Sequence, residues 1–484
     1  MASPPATPLR RALLLAPLLL GSAACLSVPN LGARPELRAP ETLDTRIDAP
    51  VAAPEAGWPD AAWWTNYGDA QLSALIEAAL AGSPNMAEAE ARVRRAEAGA
   101  QQAGSSRYPQ LSANASGGAS QQSTGSIDLP NGISLPHAWN DNANASLSLS
   151  YDLDLWGRNR ATLRAALSDA EAARADAAQA RLTLSTGIAS AYGDLARLAA
   201  LRGTSETWLR IRGETLRLLQ ARQAQGLENQ AAVMRAEAGR ASAASDLAAI
   251  DEQIELTRNR IAALVGDGPG RGQAIALPAN AHLAAFGLPA DLGISIVGRR
   301  PDIVAARLRA EGQGARIDAA RADFYPNIKI TALIGLQALG IGNLLSGGSS
   351  YGSVGPAISL PIFSGGRIEG NYRGTRADYD AAVANYDRTL VNALKDVADV
   401  AASQRALQVR LRESRAALSA SDTAFRMIEA RYRGGLATYL DLLSAEDALN
   451  TSRRGVAELE AAAFSLDVAL VRALGGGFRQ TPRA

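Results

Sequence analysis

Apolar and polar residues alternate strictly from Ala143 to Leu155. A period of two is typical of a strand whose two faces meet different media, and about ten such residues are the length of a tilted transmembrane strand. A half-buried strand of a soluble sheet has a similar pattern, and because alternation is a weak signal for a single segment, this segment taken alone favours the soluble sheet. Three further segments alternate: one starts at Gln110, one starts at Asn327, and one runs from Ser353 to Ile362. Together the four segments favour a sheet with one lipid-facing and one polar face.

Between the strands the apolar period changes to three or four residues, which predicts helices. A helical pattern runs from Gly157 to Gln225, about 100 Å at 1.5 Å per residue. Its apolar side chains form one stripe, made of Leu184, Ile188, Tyr192, Leu195 and Leu198. A shorter helix is predicted from Asp69 to Ala81, where Gly82 is a common stop signal.

The chain contains an internal duplication. Each copy reads helix, strand, loop, strand, long helix, tight turn, helix. The offset between copies is 217 before the loop (301 − 84 = 217) and 209 after it (475 − 266 = 209). The landmarks are Pro84 with Pro301, Pro109 with Pro326, Gly157 with Gly366, Gly226 with Gly435, and Gly266 with Gly475. The summed length of the two shorter helices in a copy is nearly the length of its long helix. If the strands lie at one end and the turn at the other, the two shorter helices must stack end to end beside the long one. We therefore expect four helical columns under four strands.

The N-terminus has the order of a secretory signal: Arg10 and Arg11, an apolar run, then small residues before Cys25. Cys25 resembles a bacterial lipoprotein acylation site, although Ser22 stands where leucine is usual. Ordinary cleavage near Ala24 with an unmodified thiol is the alternative. Cys25 is the only cysteine, so no disulfide can form within one chain.

Composition excludes several classes. The formal charge is +1, from 49 basic and 48 acidic side chains without a long block of one sign, which disfavours nucleic-acid binding. The two histidines, His137 and His282, have no metal-ligand spacing, and the glycines of Gly266 to Gly272 follow a helix and include a proline, which favours a linker over a phosphate loop. We therefore predict no enzyme activity and no cofactor.

Four strands cannot close a barrel by themselves, and an open strand edge cannot lie in lipid. Two chains give eight strands, a barrel filled by its own side chains, whereas three give twelve and leave room for a lumen. Serine, asparagine and aspartate on the inward face favour the wider barrel.

These features resemble the outer-membrane factor family, the TolC-like and OprM-like efflux channels, most closely its NodT-like lipoprotein branch. The resemblance covers almost the whole mature chain. Its landmarks are Trp63-Trp64 with Gly68-Asp69, Tyr108-Pro109, Tyr151 to Arg158, Arg299 to Ile303 and Phe363 to Arg367. It implies a mixed α and transmembrane β fold: a trimeric twelve-stranded barrel, four strands per chain, continued by a long α-helical barrel in the periplasm.

The same resemblance implies the following layout. Residues 1–24 are a signal peptide, 25–57 a lipidated tether, 58–266 the first repeat, 267–299 an equatorial connector, 300–475 the second repeat and 476–484 a tail. The segment Trp58 to Trp64 is predicted to be a packing anchor for the tether. Loops are predicted from Gln121 to Asn142 and from Gly340 to Tyr351.

The resemblance also implies the function: a passive exit duct for drugs or other small molecules, delivered by an inner-membrane pump through a periplasmic adaptor. The expected partners are two further copies of the chain, the adaptor, the pump and outer-membrane lipid. A duct for type I protein secretion is the alternative within this class. A soluble trimeric helical structural protein is the alternative from another class, and it leaves the alternating strands unexplained.

Two sets of residues match the family's tunnel tip. Asp441 and Leu440 match a ring that closes the pore, Tyr432 matches a position that latches neighbouring helices, and Arg431 lies beside it; Ser444 stands where a second aspartate is common. Three carboxylates near one axis would repel one another and favour cations. The tight turns, which we expect the adaptor to grip, are Gly226-Leu227 and Gly435-Leu436.

Overall fold

The structure is a computed structural model that describes residues 27–43, 57–121, 139–278 and 296–480. Within them the chain forms four strands and eight α-helices. The strands are β1 (Gln110–Gln121), β2 (Trp139–Asp152), β3 (Asn327–Leu339) and β4 (Ser350–Ser359). The helices are α1 (Ala70–Gly82), α2 (Pro84–Ser105), α3 (Arg158–Ala224), α4 (Gln230–Val265), α5 (Pro269–Gln273), α6 (Pro301–Ala322), α7 (Arg367–Arg433) and α8 (Tyr439–Ala473).

The duplication is visible in the helix lengths. The helices before the first strand of each copy, α2 and α6, both have 22 residues. The long helices α3 and α7 both have 67 residues, and the helices after the tight turns, α4 and α8, have 36 and 35. The predicted order of elements is therefore found in both copies.

The four strands form one antiparallel sheet in the order β1, β2, β3, β4. The pairing sets alternate residues of all four strands on common faces. Leu147 pairs with Ala113 and Ile334 on an apolar face, while Ser148 pairs with Ser112 on the opposite face, which is polar in β1 and β2 and to which β3 adds Leu333 and Leu339. The two-faced sheet predicted from the alternation is present.

The end of β2 predicted from the alternation is wrong. The strand ends at Asp152, three residues before the predicted end at Leu155, because Asp152 Oδ1 accepts a hydrogen bond from the backbone N–H of Asp154 at 2.9 Å. Asp154 has a φ of 46°, a left-handed conformation that aspartate tolerates. Its carboxylate then accepts the N–H groups of Asn159 and Arg160 at 2.8 and 3.0 Å and so caps the start of α3.

Two further boundaries differ from the prediction. Residues 139–142, predicted as loop, are the first part of β2. β4 runs from Ser350 to Ser359 instead of from Ser353 to Ile362, so the strand contains Pro356 but ends before Pro361. Pro356 is accommodated because β4 is an edge strand of the described sheet.

The chain divides into two compact units. The first consists of residues 1–36, 94–171 and 307–384, and the second of residues 37–93, 172–306 and 385–484. In the first unit, an apolar cluster includes Ile317 of α6, Phe324 just after α6 and Ile368 of α7. Part of the N-terminal segment, predicted as a tether, is held on this unit: Tyr379 Oη donates to the Pro35 carbonyl at 2.9 Å.

The second unit contains the largest core. The predicted stripe of α3, from Leu184 to Leu198, is buried in it. Trp63 and Trp64 are also buried there, which confirms a packing role for the tryptophan segment. The second unit also carries both tight turns. Among the described residues, no helix combines the length and the apolar character needed to cross a bilayer.

Candidate functional site

The two tight turns that join α3 to α4 and α7 to α8 share one backbone design. Gly226 and Gly435 adopt left-handed φ values of 69° and 76°. The next residue in each turn, Leu227 or Leu436, donates its N–H to the carbonyl five residues earlier, at 2.9 and 2.8 Å. This is the Schellman motif, which satisfies the last carbonyls of a helix and needs a residue that tolerates positive φ.

The leucines of these turns are not used for packing within the chain. Leu227 is 60% exposed and Leu436 is 72% exposed, although the residue at this place in the motif commonly packs on its own helix. Each turn thus presents one exposed leucine next to its own backbone, and exposed apolar side chains can contribute to a protein contact.

The helices that follow the turns are capped differently. Asn229 Oδ1 accepts the N–H of Ala232 at 2.9 Å and caps α4. At the start of α8, Thr438 Oγ1 accepts the N–H of Asp441 at 3.2 Å, and Asp441 Oδ2 accepts the N–H of Thr438 at 2.9 Å, which is a capping box. Hydrogen bonds from Thr438 hold the pKa of the exposed Asp441 carboxyl below its ordinary value. Asp441 is therefore an ionised group at the helix start.

The two tight turns and the helix ends next to them form a region that we call the tip, and Tyr432 lies in it. Tyr432 is buried in an apolar cluster to which α3, α4, α7 and α8 all contribute. Its hydroxyl donates to Glu228 Oε2 at 3.1 Å, its carbonyl accepts from Arg222 Nη1 at 3.2 Å, and its ring lies 4.8 Å from the Arg222 guanidinium. Burial, with the nearby Glu228, raises the pKa of Tyr432 to about 12, so the phenol stays a neutral donor.

The other predicted residues lie near members of this cluster in sequence. Leu440 is 62% exposed, Ser444 Oγ donates back to the Leu440 carbonyl at 2.9 Å, and the exposed Arg431 reaches the Leu436 carbonyl at 3.4 Å. The structure thus brings the residues predicted at the tip together in one unit. Cys25 and both histidines lie outside the described residues.

Sequence reasoning missed a buried ion pair next to the tip. Arg212 Nη1 of α3 donates to Glu446 Oε2 of α8 at 2.8 Å, with the side chains 7% and 1% exposed. Glu446 Oε1 accepts from Thr215 Oγ1 at 2.5 Å. Arg212 also reaches the exposed Asp447 and lies 4.1 Å from the Trp208 ring centroid. Burial raises the pKa of Glu446 above its ordinary value, although Thr215 and Arg212 oppose the shift.

Tyr432 and Glu446 hold the helix ends next to the turns together. Every hydrogen bond named for Tyr432 and Glu446 joins α7 or α8 to α3 or its turn.

Comparisons with known proteins agree with the fold of strands and helices. The family model described as outer membrane efflux protein matches residues 75–267 and 295–476. The multidrug resistance outer membrane protein MdtP of Escherichia coli is 30% identical over 456 residues, 92% of this chain and 91% of that protein. The fusaric acid resistance protein FusA of Burkholderia cepacia is 36% identical over 332 residues, 67% of this chain and 62% of that protein.

Solved structures give the same result. The outer membrane protein VceC of Vibrio cholerae is 43% identical and superposes with a TM-score of 0.80, covering 87% of this chain and 100% of that chain. The outer-membrane channel OprN is 29% identical with a TM-score of 0.82, covering 92% and 99%. The predicted fold class is confirmed by these structures.

Proposed function

Because this chain belongs to the outer membrane efflux protein family, we propose that it is the passive exit duct of a tripartite system that expels small molecules. The chain is an outer-membrane efflux channel. The proposal adds its assembly, its partners and its cargo. The observation that carries the proposal is the four-stranded sheet with one apolar face, one polar face and two edge strands.

The edges of the sheet support a homotrimer. In the sheet as described, β1 and β4 each have a neighbour on one side only, and unpaired strand edges are too costly to leave in lipid. Three copies give 3 × 4 = 12 strands and close the sheet around the polar face. The two repeats, 58–266 and 300–475, and the equatorial connector 267–299 then occur three times around one axis.

The helix tips support a gate and a docking site. Three Asp441 carboxylates and three Leu440 side chains would converge at the axis, and Tyr432, with Arg431 and Ser444 nearby, would hold each helix end in the closed position. The exposed leucines at Gly226-Leu227 and Gly435-Leu436 would be the contacts of a periplasmic adaptor, which joins the duct to an inner-membrane pump.

Substitution in the turn tests the docking site. Gly435→Trp places a bulky ring on a surface that has open space around it, so we expect loss of drug efflux while the trimer persists. The positive φ of Gly435 adds strain of about 1–2 kcal/mol for an ordinary residue, and Gly435→Asn, which tolerates this φ, is the matched control. A Gly435→Trp trimer that still restores efflux to a deletion strain would refute the contact.

The names of two relatives support small molecules as the cargo. MdtP is named for multidrug resistance and FusA for fusaric acid resistance, which supports small molecules over type I protein secretion. Comparing a deletion strain with the complemented strain for drug susceptibility and for secreted proteins separates the two. Changed secretion with unchanged susceptibility would favour the secretion duct.

Native mass spectrometry of the protein extracted from outer membranes tests the trimer and the anchor together. We expect three chains, each heavier by the acyl groups on Cys25 that a lipoprotein carries. Unmodified trimers would remove the lipid anchor and keep the duct. A monomer in mild detergent would overturn the closure by three copies.

A further inference from the structure

The polar face of the sheet is almost free of formal charge. Within the described strands, every residue of this face in β1, from Gln110 to Ser120, and in β2, from Asn140 to Ser150, is serine, asparagine, glutamine or glycine. Hydroxyl and amide groups can donate to anions and accept from cations. A wall of this kind solvates both signs, whereas rings of charged side chains select one.

The polar groups of this face are also held in place by one another. Ser112 and Ser148 hydroxyls lie 2.8 Å apart across β1 and β2. Asn142 Nδ2 donates to Ser120 Oγ at 2.7 Å, and Asn144 Nδ2 reaches across β3 to Tyr351 Oη at 2.9 Å. These contacts fix part of an uncharged wall, to which β3 adds the apolar side chains of Leu333 and Leu339.

One charged pair interrupts this neutral face. Asp152, the last residue of β2, is directly opposite Lys329 near the start of β3, and among the described strand residues of the polar face these two alone carry formal charge. Residues directly opposite in an antiparallel pair have Cβ atoms about 5 Å apart, so each charge compensates the other. The pair lies where the strands join the helices.

We propose that the strand-lined part of the duct does not discriminate solutes by charge, and that the Asp152 and Lys329 ring sets this neutrality. The inference rests on the proposed closure of three sheets around their polar faces. Three copies place three carboxylates and three ammonium groups in one ring, with a net charge of zero. The class of solute that fits is accordingly broad: cationic, anionic or uncharged molecules.

Single substitutions in the ring convert the neutral duct into a selective one. Lys329→Gln leaves three uncompensated carboxylates and should raise the K⁺ over Cl⁻ permeability ratio. Asp152→Asn leaves three ammonium groups and should lower it, and the asparagine Oδ1 can still accept the Asp154 N–H. For three unit charges at about one Debye length, Coulomb's law in water gives a change of roughly three- to tenfold in each direction.

The measurement is the reversal potential of single channels in planar bilayers under a KCl gradient at low ionic strength. All proteins carry Asp441→Ala, so the tip contributes no carboxylate ring. The matched control combines Asp152→Asn with Lys329→Gln, which restores a net charge of zero and should return the permeability ratio to that of the reference protein. Native mass spectrometry verifies that each variant is assembled.

The outcomes separate the inference from the function on which it rests. A reference protein that favours neither ion, with opposite shifts in the single variants and recovery in the double variant, supports the proposal. Channels that conduct but show equal or absent shifts would overturn it and leave the duct intact. Assembled complexes that never conduct would overturn the duct and the inference together.

Discussion

Breaking the buried Arg212 and Glu446 pair should loosen the tip. Arg212→Met removes the charge but keeps most of the apolar stem, so Glu446, 1% exposed, loses its cationic partner and keeps only Thr215. Removing one partner of a buried pair costs roughly 3–5 kcal/mol. We take the lower end, about 3 kcal/mol, because Glu446 can take up a proton. That corresponds to roughly a hundredfold larger population of opened tips.

Hydrogen exchange of the assembled protein in detergent, read by mass spectrometry, measures this population. We expect about hundredfold faster exchange of amides at the start of α8 in Arg212→Met, with helix ends far from the tip unchanged. Arg212→Met combined with Glu446→Leu is the matched control, because removal of both charges from a buried pair is often neutral. Wild-type exchange in the single variant, or no recovery in the double variant, would refute the assignment.

Opening of the tip in Arg212→Met should depend on pH in a defined direction. The pKa of Glu446 is raised in the packed tip, so the packed state binds the proton more tightly than the opened state. Packing is then strongest below the ordinary carboxyl pKa and weakens as pH rises through the raised value. After correction for intrinsic exchange rates, opening of Arg212→Met should increase with pH, and adding Glu446→Gln should abolish that increase.

Two further predictions follow from the tip and from the core. Asp441→Ala removes the carboxylate that accepts the Thr438 N–H, while Thr438 Oγ1 still caps the helix; the lost hydrogen bond costs about 1 kcal/mol, and we expect higher resting uptake of a bulky antibiotic. Asp441→Asn, which keeps an acceptor for Thr438, separates this hydrogen bond from the charge. Unchanged uptake in Asp441→Ala would count against the gate. Gly193→Ala places a Cβ against the Phe464 ring and should lower the thermal midpoint of the complex by the equivalent of about 1–3 kcal/mol. Gly187→Ala, where the added Cβ meets open space, should leave the midpoint unchanged or raise it, and equal effects of the two would contradict the packing argument.

The fold was predictable because periodicity and duplication reinforce each other. Each element was seen twice, so the helix and strand patterns of one copy supported those of the other. The boundaries that were missed depend on tertiary contacts instead of period. The alternation continues through Leu155, but the chain turns earlier because Asp152 and Asp154 accept backbone N–H groups.

The candidate site was predictable only in part. The glycine and leucine turns repeat at a fixed offset, and helix C-caps have a clear sequence signal. The pair of Arg212 and Glu446 had no such signal, because the residues are 234 apart in sequence and each looks like an ordinary charge on an exposed helix face. The four-residue spacing of Trp208 and Arg212 was the one local indication, since a guanidinium four residues from an indole can lie over it.

The two copies agree in their turns and differ in the contacts between them. At the offset of 209, Asn229 corresponds to Thr438 (438 − 229 = 209) and both cap a helix. Tyr432, however, corresponds to Gln223 (432 − 209 = 223). The features common to the copies are thus those that each helical hairpin needs for its own fold.

Each bond at the tip that crosses from one copy to the other involves at least one residue that differs between the copies; Arg212 corresponds to Ser421 (212 + 209 = 421), although Glu446 has a glutamate counterpart, Glu237 (446 − 209 = 237). Tyr432 of the second copy bonds Glu228 of the first, and Glu446 of the second bonds Arg212 of the first. A hairpin can therefore keep its caps and its internal packing while these crossing bonds break, because the caps depend on backbone groups within one copy. The bonds between the copies are therefore distinct from the backbone caps that the two copies have in common.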